Sequence, residues 1–514
     1  MPDNLASFKV FAEGGLNTNR DVLSQGERQP GSATLLVNYE PAITGGYRRI
    51  SGYSNDYGTV PGTGSVLGVS VADGINDGIL AARKPISGNN YLHYWDEDTE
   101  SWTEVTTSGS PTMVGVGKVR FLRYNWSGPK VLLTDGVNPA ATYDGTTYTQ
   151  VTDSNAPSSP KFAASFAKHL FLAGDSTEDY NLHFSAPLDE TDFDPANGAG
   201  VINVGFPIVQ IKGFRDQLYI FGTTNIKRLE GNNVSDFVLK EVTDDLGCMA
   251  SDSVVEIAGD LLFLSQDGLR PVSGTNKIGD VNLESLSKNI QSIFTDVVFD
   301  IDLNGLSSVL IHQKSQVRFF FAAADTQGII AGFRQNSQSG ALGFEFGQLL
   351  GISASCADSG YLGQYEYVIH GDSNGKVHRQ EQGNDFDGTN IFSVYQTPFL
   401  HMQDPEQRKI FYTVSTYLRS EGDNNIVLSV IYDYEDFDSL SPTNFDIITE
   451  NAASYYNEAL YDSTAVFDGN PAPVKRTNIS GSGKSVAFKY VTNDTNASHS
   501  IQGLVITFGV GDRL

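Results

Sequence analysis

A short apolar unit returns along most of this chain, and it constrains the fold more than any other feature. In each copy, a run of β-branched and aromatic residues ends at a turn rich in Gly, Asp or Asn, and a second short strand follows. The copies lie roughly 40 to 55 residues apart, which is the spacing of β-propeller blades. The copies start at residues 131, 169, 217, 260, 317 and 366. One hairpin of this size cannot bury its own apolar face, so we predict that the copies stack around an axis.

The strands outside these repeats extend the prediction to the whole chain of 514 residues. An extended arm with a strand near residues 33–41 occupies residues 1–55, and the β-propeller occupies residues 56–395. Residues 396–514 contain several long β-branched runs, which favour an appended β-sandwich-like domain. Helical periodicity is confined to residues 282–294, where we expect a short helix. The predicted fold class is therefore all-β.

The charge balance excludes one large class of function. The chain has 34 Lys and Arg residues against 61 Asp and Glu residues, a formal net charge of -27. Nucleic-acid grooves need basic stripes, and the basic clusters of this chain are no larger than pairs. We expect some of these pairs to meet acidic neighbours at subunit contacts, where Arg is favoured for bidentate pairing. The pairs considered are Arg48–Arg49, Arg83–Lys84, Lys227–Arg228 and Arg408–Lys409.

Cysteine content and the N-terminal sequence indicate the compartment of synthesis. The two cysteines, Cys248 and Cys356, cannot build a disulfide framework or a cysteine metal cluster. The first ten residues have no basic flank followed by an apolar core, so we expect no secretion signal. No apolar run reaches the length of a membrane-spanning helix. We therefore expect synthesis in a cytosol and no membrane-spanning segment.

Histidine and calcium-type patterns give little support for chemistry. The eight histidines contain no H-E-x-x-H motif or similar ligand spacing. His370 and His378 flank a D-S-N-G turn, so they could face each other on paired strands, and we interpret them as structural. Asp372, Asn374 and Gly375 resemble the first half of a calcium loop, but the later carboxylates are absent. A tight turn explains these three residues.

Glycosidase patterns are equally weak. Residues 265–270 (S-Q-D-G-L-R) are similar to the Asp-box turn of glycosidase propellers, but the expected aromatic residue is missing. The acidic groups at Asp244–Asp245 and at Asp96–Glu97–Asp98 could in principle act on sugars. The chain has only three Trp residues for stacking on sugars. We predict that the protein is not an enzyme and has no catalytic residue, no cofactor and no metal site.

Three sets of segments together resemble the tail nozzle proteins of short-tailed bacteriophages, which are also called tail tubular, head-completion or DNA-stabilisation proteins. The first set begins with G-G-L-N-T-N-R-D-V-L-S-Q-G-E at residue 14 and ends with G-G-Y-R-R-I-S-G-Y at residue 53. The second includes G-F-R-D-Q-L-Y-I-F-G-T-T-N-I-K-R-L-E-G (213–231) and its continuation at 244–270. The third includes Q-R-K-I-F-Y-T-V (407–414) and I-Q-G-L-V-I-T-F-G-V-G-D-R (501–513).

The resemblance implies a structural virion protein of the phage tail, assembled in the cytoplasm of the host bacterium. It implies a homo-hexameric ring that contacts an adaptor protein and tail fibres or spikes. DNA would pass through the lumen of this ring during genome ejection without specific binding. An acidic lumen suits that role, since each phosphate contact by Lys or Arg would hold the duplex back.

Two alternatives belong to other classes of protein. One is a propeller glycoside hydrolase or depolymerase, which would need clustered carboxylates. The other is a receptor-binding tail spike or a propeller scaffold for interactions. Spikes tend to be trimers, so the oligomeric mass distinguishes a spike from a six-fold nozzle.

Overall fold

The computed structural model describes residues 5–86, 90–109, 111, 115, 117–275, 285–300, 303–321, 327–335, 342–435, 442–449 and 473–510. Strands dominate these residues, and six small sheets are arranged as the blades of a β-propeller. The sequence prediction of an all-β propeller is confirmed.

The N-terminal segment contributes one helix and five strands, none of which forms a sheet alone. These elements are β1 (Leu5–Phe11), α1 (Val22–Arg28), β2 (Leu35–Val37), β3 (Tyr39–Pro41), β4 (Tyr47–Arg49) and β5 (Tyr53–Ser54). Helix α1 begins after Asp21, whose carboxylate accepts a hydrogen bond from the Ser24 amide at 2.8 Å. Such a cap satisfies an amide that the first helical turn leaves without a backbone partner.

The first five blades follow one another along the chain. Blade 1 comprises β6 (Thr63–Val71), β7 (Ile79–Lys84), β8 (Leu92–Asp96) and β9 (Ser101–Glu104). Blade 2 comprises β10 (Thr106–Thr107), β11 (Arg120–Asn125), β12 (Pro129–Thr134), β13 (Ala141–Tyr143) and β14 (Thr147–Gln150). Blade 3 comprises β15 (Phe162–Phe166), β16 (His169–Ala173), β17 (Asn181–Phe184) and β18 (Gly200–Asn203). Blade 4 comprises β19 (Gln210–Phe214), β20 (Gln217–Phe221), β21 (Ile226–Glu230) and β22 (Val238–Thr243). Blade 5 comprises β23 (Val255–Ile257), β24 (Asp260–Ser265) and β25 (Gly268–Pro271).

Helices α2 (Val272–Thr275) and α3 (Gln291–Asp300) follow blade 5. The expected helix at residues 282–294 is only partly correct. Residues 276–284 lie outside the described residues, and a short 3-10 turn (Lys288–Ile290) precedes α3. Of the apolar residues expected at helical spacing, Ile290 is buried in the largest core cluster, and Leu286 and Ile293 pack against it, while Leu283 lies outside the described residues. The expected start of the helix was too early, since residues 285–287 are not helical.

A nine-stranded sheet begins beside blade 5. Four of its strands come next after α3 in the chain, and they are β26 (Ser307–Ile311), β27 (Gln316–Phe320), β28 (Gln327–Gln335) and β29 (Leu342–Leu350). The sixth blade follows with β30 (Cys356–Leu362), β31 (Tyr365–Gly371) and β32 (Val377–Gln380), and the N-terminal β5 completes it. Strand β26 contacts β23 of blade 5 and β30 of blade 6. The edge of the large sheet therefore stands in the propeller ring between these two blades.

The remaining strands form two large sheets with the N-terminal segment. They are β33 (Ile391–Gln396), β34 (Lys409–Ser420), β35 (Asn424–Tyr432), β36 (Phe445–Thr449), β37 (Val474–Asn478), β38 (Ser482–Gly483), β39 (Val486–Asp494) and β40 (His499–Val510). The nine-stranded sheet has the order β26-β27-β28-β29-β2-β33-β39-β35-β36. The seven-stranded sheet has the order β3-β4-β40-β34-β37, with β1 paired to β40 and β38 paired to β34.

The two large sheets pack face to face over one apolar core. Tyr47 of the seven-stranded sheet meets Tyr395 of the nine-stranded sheet with ring centroids 5.0 Å apart. Phe411 and Tyr432 make a second such contact at 5.4 Å. All four side chains are buried, and burying one such ring contributes about 1.5–3 kcal/mol to stability. This sandwich-like unit joins the propeller through β26–β29.

Strand pairing ties the two ends of the chain together. All seven residues of β1 pair antiparallel with β40, from Leu5 opposite Gly509 to Phe11 opposite Gly503. Strand β2 lies between β29 and β33, and β5 closes blade 6 beside β32. The arm thus both closes a blade and packs with the C-terminal strands. The domain boundaries at residues 55 and 395 stay a prediction. Strands from the two sides of each boundary pair with one another in the same sheet.

Candidate functional site on the propeller axis

The propeller surrounds a cavity of about 430 Å³ where the innermost strands of its sheets converge. Its wall includes residues of β6, β11, β15, β19, β26 and β30, together with the loop that leads into β23. These strands face the axis because each is the innermost strand of its sheet. Ligand sites of β-rich folds often lie at such a convergence of strands. The axial cavity is therefore the leading candidate for a functional site.

At one part of the cavity, two cations share one carboxylate. Lys118 Nζ lies 2.9 Å from Asp252 Oδ2, and Arg120 donates to both carboxylate oxygens at 2.7 and 2.9 Å. Lys118 also donates to the Leu306 carbonyl at 2.6 Å. Burial alone would raise the pKa of Asp252, but Lys118 and Arg120 outweigh burial and lower the pKa to about 2. Asp252 is therefore ionised at neutral pH and has no proton to give.

The second carboxylate of the cavity, Asp358, is also engaged. It accepts a hydrogen bond from the Val71 amide at 2.9 Å and lies 3.5 Å from Arg123 Nη2. Arg123 in addition donates to the carbonyls of Val71 and Ser359. Both cavity carboxylates thus face cations.

Lys212 is the fourth cation of the wall, and its side chain is exposed to the cavity. Its pKa is lowered, first because surrounding protein removes water from the ammonium and second because Arg123 repels it; Asp358 and Glu256 act in the opposite direction. The wall therefore carries four cations against two carboxylates, an excess of two positive charges.

This arrangement does not suit glycoside hydrolysis. That reaction uses one carboxyl group that is protonated and a second that acts as a base or nucleophile. Asp252 is held ionised by two cations, and Asp358 is occupied by Val71 and Arg123. Neither of these two carboxylates is therefore free to serve as the acid of this reaction.

The two histidines singled out in the sequence do meet. His370 and His378 are directly opposite in the β31–β32 pair, and their rings stack with centroids 4.9 Å apart. Tyr53 packs edge-on against both rings. Burial lowers the pKa of each imidazole, so both are neutral at pH 7. No group of three or more His, Cys, Asp or Glu side chains is placed to hold a metal ion in the described ranges. The pair is part of the packing of blade 6.

The Asp-containing turns serve their own loops. Asp372 Oδ1 accepts from the amides of Asn374 and Lys376 at 2.9 and 2.7 Å, which is the geometry of a tight turn rather than an open calcium loop. In the Asp-box-like segment, Asp267 accepts from Arg270 Nε at 2.8 Å across the β24–β25 turn. Asp244 and Asp245 follow β22, Asp96 ends β8, and Glu97 and Asp98 lie in the β8–β9 turn. None of these acids lines the axial cavity.

Members of all four basic pairs form hydrogen bonds or ion pairs with other groups of the same chain. Arg48 donates to Glu421 through Nε and Nη2 at 2.7 Å each, and Arg49 Nη1 lies 2.9 Å from Asp494. Arg83 donates to three backbone carbonyls, and Lys227 donates to the Val204 carbonyl at 2.9 Å. Arg408 and Lys409 likewise donate to oxygens of nearby loops. The expected role of these pairs at subunit contacts stays a prediction.

A buried ionic network links the arm, both large sheets and blade 6, and sequence reasoning missed it. Glu40 Oε1 accepts from Arg48 and Lys314 at 3.2 and 2.6 Å, and Glu40 Oε2 accepts from Arg318 at 3.1 Å. Arg318 also pairs with Glu381 at 2.5 Å. Glu40 and Arg318 are 278 residues apart in the chain. No local pattern marks such a pair, and only the strand topology brings it together.

No family model matches this sequence, and no curated protein matches it significantly. Among solved structures, the extracellular domain of a hybrid two-component system of B. thetaiotaomicron is similar at 11% identity and a TM-score of 0.39. The match covers 67% of this chain and 44% of that domain, so it spans less than half of the relative. The exo-β-1,3-galactanase of Phanerochaete chrysosporium is similar at 9% identity and a TM-score of 0.27, over 78% of this chain and 98% of the enzyme. Hsv2 of Kluyveromyces marxianus is similar at 10% identity and a TM-score of 0.28, over 53% and 79%. At these values the similarities assign no function.

Proposed function

We propose that this chain is a structural virion protein, the subunit of a six-fold tail nozzle ring in a short-tailed phage. The observation that carries the proposal is the closure of the chain on itself. Its first described strand lies in the same sheet as its last, and the arm also supplies strands to the other large sheet and to blade 6. A conduit for an ejected genome must resist local opening, and this pairing leaves neither end free to unzip alone.

The buried ionic network supports the same role. Lys314 and Arg318 reach Glu40 of the arm and Glu381 beside blade 6. Buried pairs of this kind contribute little net stability but fix one arrangement, since any other would leave a charge buried without its partner. The propeller and the sandwich-like unit are therefore held in one relative orientation. A rigid subunit is what a ring built from identical copies requires.

The charge distribution fits a channel that releases DNA. The net charge is -27, and each of the four basic pairs has at least one member bound to a carboxylate or carbonyl of its own chain. These bound side chains are then not free to form the phosphate contacts that retain a duplex. The lumen of the ring would be acidic, and the adaptor protein and the fibres or spikes would dock on other faces.

The mass of the purified protein in solution tests the proposal. Sedimentation should give a particle of six chains of 55.7 kDa each, alone or after addition of the adaptor. A stable trimer would favour the receptor-binding spike. A monomer that releases reducing sugar from a panel of β-galactans and bacterial capsules would favour the hydrolase alternative. Either result would overturn the nozzle assignment.

A further inference from the structure

The axial cavity has a charge opposite to that of the whole protein. The chain carries -27, whereas the cavity wall carries Lys118, Arg120, Arg123 and Lys212 against Asp252 and Asp358. Cations brought together in a partly dehydrated space repel one another. In a chain rich in acids, such an excess needs a reason.

The individual partners show where the excess lies. Asp252 is shared by two cations, which leaves one positive charge at that part of the wall. Asp358 serves Arg123 at the longer distance of 3.5 Å. The side-chain ammonium of Lys212 has no hydrogen-bond or ion-pair partner among the residues that the structure describes. The unbalanced charge therefore resides mainly on Lys212 and on the pair that shares Asp252.

A second observation independently indicates a missing ligand. Ser307 belongs to the cavity wall and is 3% exposed, and its hydroxyl has no hydrogen-bond partner in the described part of the chain. A buried hydroxyl without a partner has lost its hydrogen bonds to water and gained none in return, which destabilises the fold. Its neighbour Ser308 is satisfied, because it donates to the Asp252 carbonyl. The wall thus has an orphan polar group as well as unbalanced cations.

We propose that this cavity is a binding site for a small phosphoryl dianion. Its two negative charges would match the excess of the wall, where Lys212, Arg123 and the Lys118–Arg120 pair supply the cations. Guanidinium groups and lysines are the side chains that bind phosphoryl oxygens most strongly, the former through paired N–H donors. The cavity lies on the axis of the propeller within one chain. At about 430 Å³ it holds a small molecule and not a nucleic-acid duplex.

The site does not depend on the proposed ring, because all its residues come from a single chain. The same chemistry fits inorganic phosphate and the terminal group of a small phosphomonoester. The cavity is larger than a phosphate ion needs, and its volume lies in the usual range of small-molecule sites. Titrating inorganic phosphate and a hexose 6-phosphate separately, with the neutral hexose as a third probe, distinguishes these sources.

Calorimetric titration of the full-length protein at low ionic strength tests the site. We expect phosphate to bind with a Kd of about 1 mM or tighter, and Lys212→Gln to weaken binding by about 10-fold or more. Lys212→Arg should retain binding. Lys84→Gln makes the same change in net charge at an exposed position outside the cavity, and it should bind like the wild type.

Several results would overturn the proposal: no binding of either phosphate probe, equal binding by Lys212→Gln and Lys84→Gln, or neutral hexose binding as tightly as phosphate. Should Lys212→Gln fail to fold, the wild-type protein still provides a test. Because a bound ligand stabilises the folded state, phosphate should raise the Tm above that in chloride of equal ionic strength. An equal Tm in the two salts would contradict the site.

Discussion

Glu40 Oε2 and Arg318 Nη2 lie 3.1 Å apart in an ion pair that is almost completely withdrawn from water, with side chains 3% and 0% exposed. Glu40 belongs to β3 of the seven-stranded sheet, and Arg318 belongs to β27 of the nine-stranded sheet. The pair therefore fastens one large sheet to the other.

Glu40→Gln should destabilise the protein by about 3–5 kcal/mol, because it leaves Arg318 and Lys314 with too little buried negative charge. Glu421→Gln is the matched control, since Glu421 binds Arg48 in the same network but is 37% exposed. A surface pair contributes about 1 kcal/mol or less. Urea unfolding of both variants measures the difference, and equal losses would show that burial of the pair has no special cost.

Glu381 gives a pH dependence of known sign. Burial would raise its pKa, but Arg318 and Lys314 lower it to about 2. Because the folded pKa lies below the unfolded value of about 4.3, this stabilisation is present above that value and is lost as the pH falls toward 2. Glu381→Gln should therefore flatten the fall in unfolding free energy between pH 4.5 and 2. An unchanged slope would mean that Glu381 titrates normally in the fold.

His499 should act in a higher pH range. Its imidazole Nε2 lies 2.7 Å from the Tyr39 hydroxyl, and burial, then Arg49 and Arg48, lower its pKa to about 3. The unfolded chain takes up this proton near pH 6.5, so stability falls as the pH drops from about 6.5 toward 3, by at most about 1.4 kcal/mol per unit. His499→Gln should reduce the loss between pH 7 and 5.

His312→Gln controls for the general effect of removing a histidine, because His312 is 46% exposed. Chemical unfolding at the two pH values supplies the comparison. Should both variants lose the same stability on acidification as the wild type, buried His499 would not be the group that titrates.

Removal of residues 1–45 should abolish soluble assembly. The deletion takes β1 from β40 and β2 from the middle of the nine-stranded sheet, so it exposes strand edges and the core between the sheets. Removal of residues 1–4, which precede β1, is the control. The soluble yield and the sedimentation profile measure the effect, and a truncated protein that still assembles would show that the arm is dispensable.

The assembled protein should have no measurable affinity for duplex DNA at physiological salt. The reason is the net charge of -27 together with the internal use of the basic pairs. A gel-shift titration at two salt concentrations measures binding. Glu97→Lys with Asp98→Lys, at an exposed turn, is a positive control, and each new phosphate contact steepens the salt dependence by about 0.9. Tight, salt-sensitive binding by the wild type would contradict a repulsive conduit.

The sequence predicted the propeller because its repeated apolar run marks the same place, beside the innermost strand, in blades 2 to 6. Residues 131–134, 169–173 and 217–221 lie in β12, β16 and β20. Each of these is the second strand of its sheet when the strands are counted from the axis. The second strand is covered on both faces, so its residues are almost all buried and form a continuous apolar run. The innermost strands are more polar, since they face the axial cavity, and their sequences do not show the repeated apolar run.

The sites were not predictable in the same way. Glu40 and Arg318 meet through sheet topology, and the cavity collects Lys212 from β19 and Lys118 and Asp252 from the segments that lead into β11 and β23. Each of these residues looks like an ordinary surface charge in its local sequence. His370 and His378 were predicted to face each other because a short hairpin fixes the register of its two strands. Local register can be read from a sequence, whereas contacts between sheets require the fold.

The most direct test of the nozzle role is a negative-stain image of the purified protein. We expect top views with six-fold symmetry and a central opening, each subunit containing one propeller. Fields of single propellers, or of particles with three-fold symmetry, would contradict the proposed role as a tail nozzle.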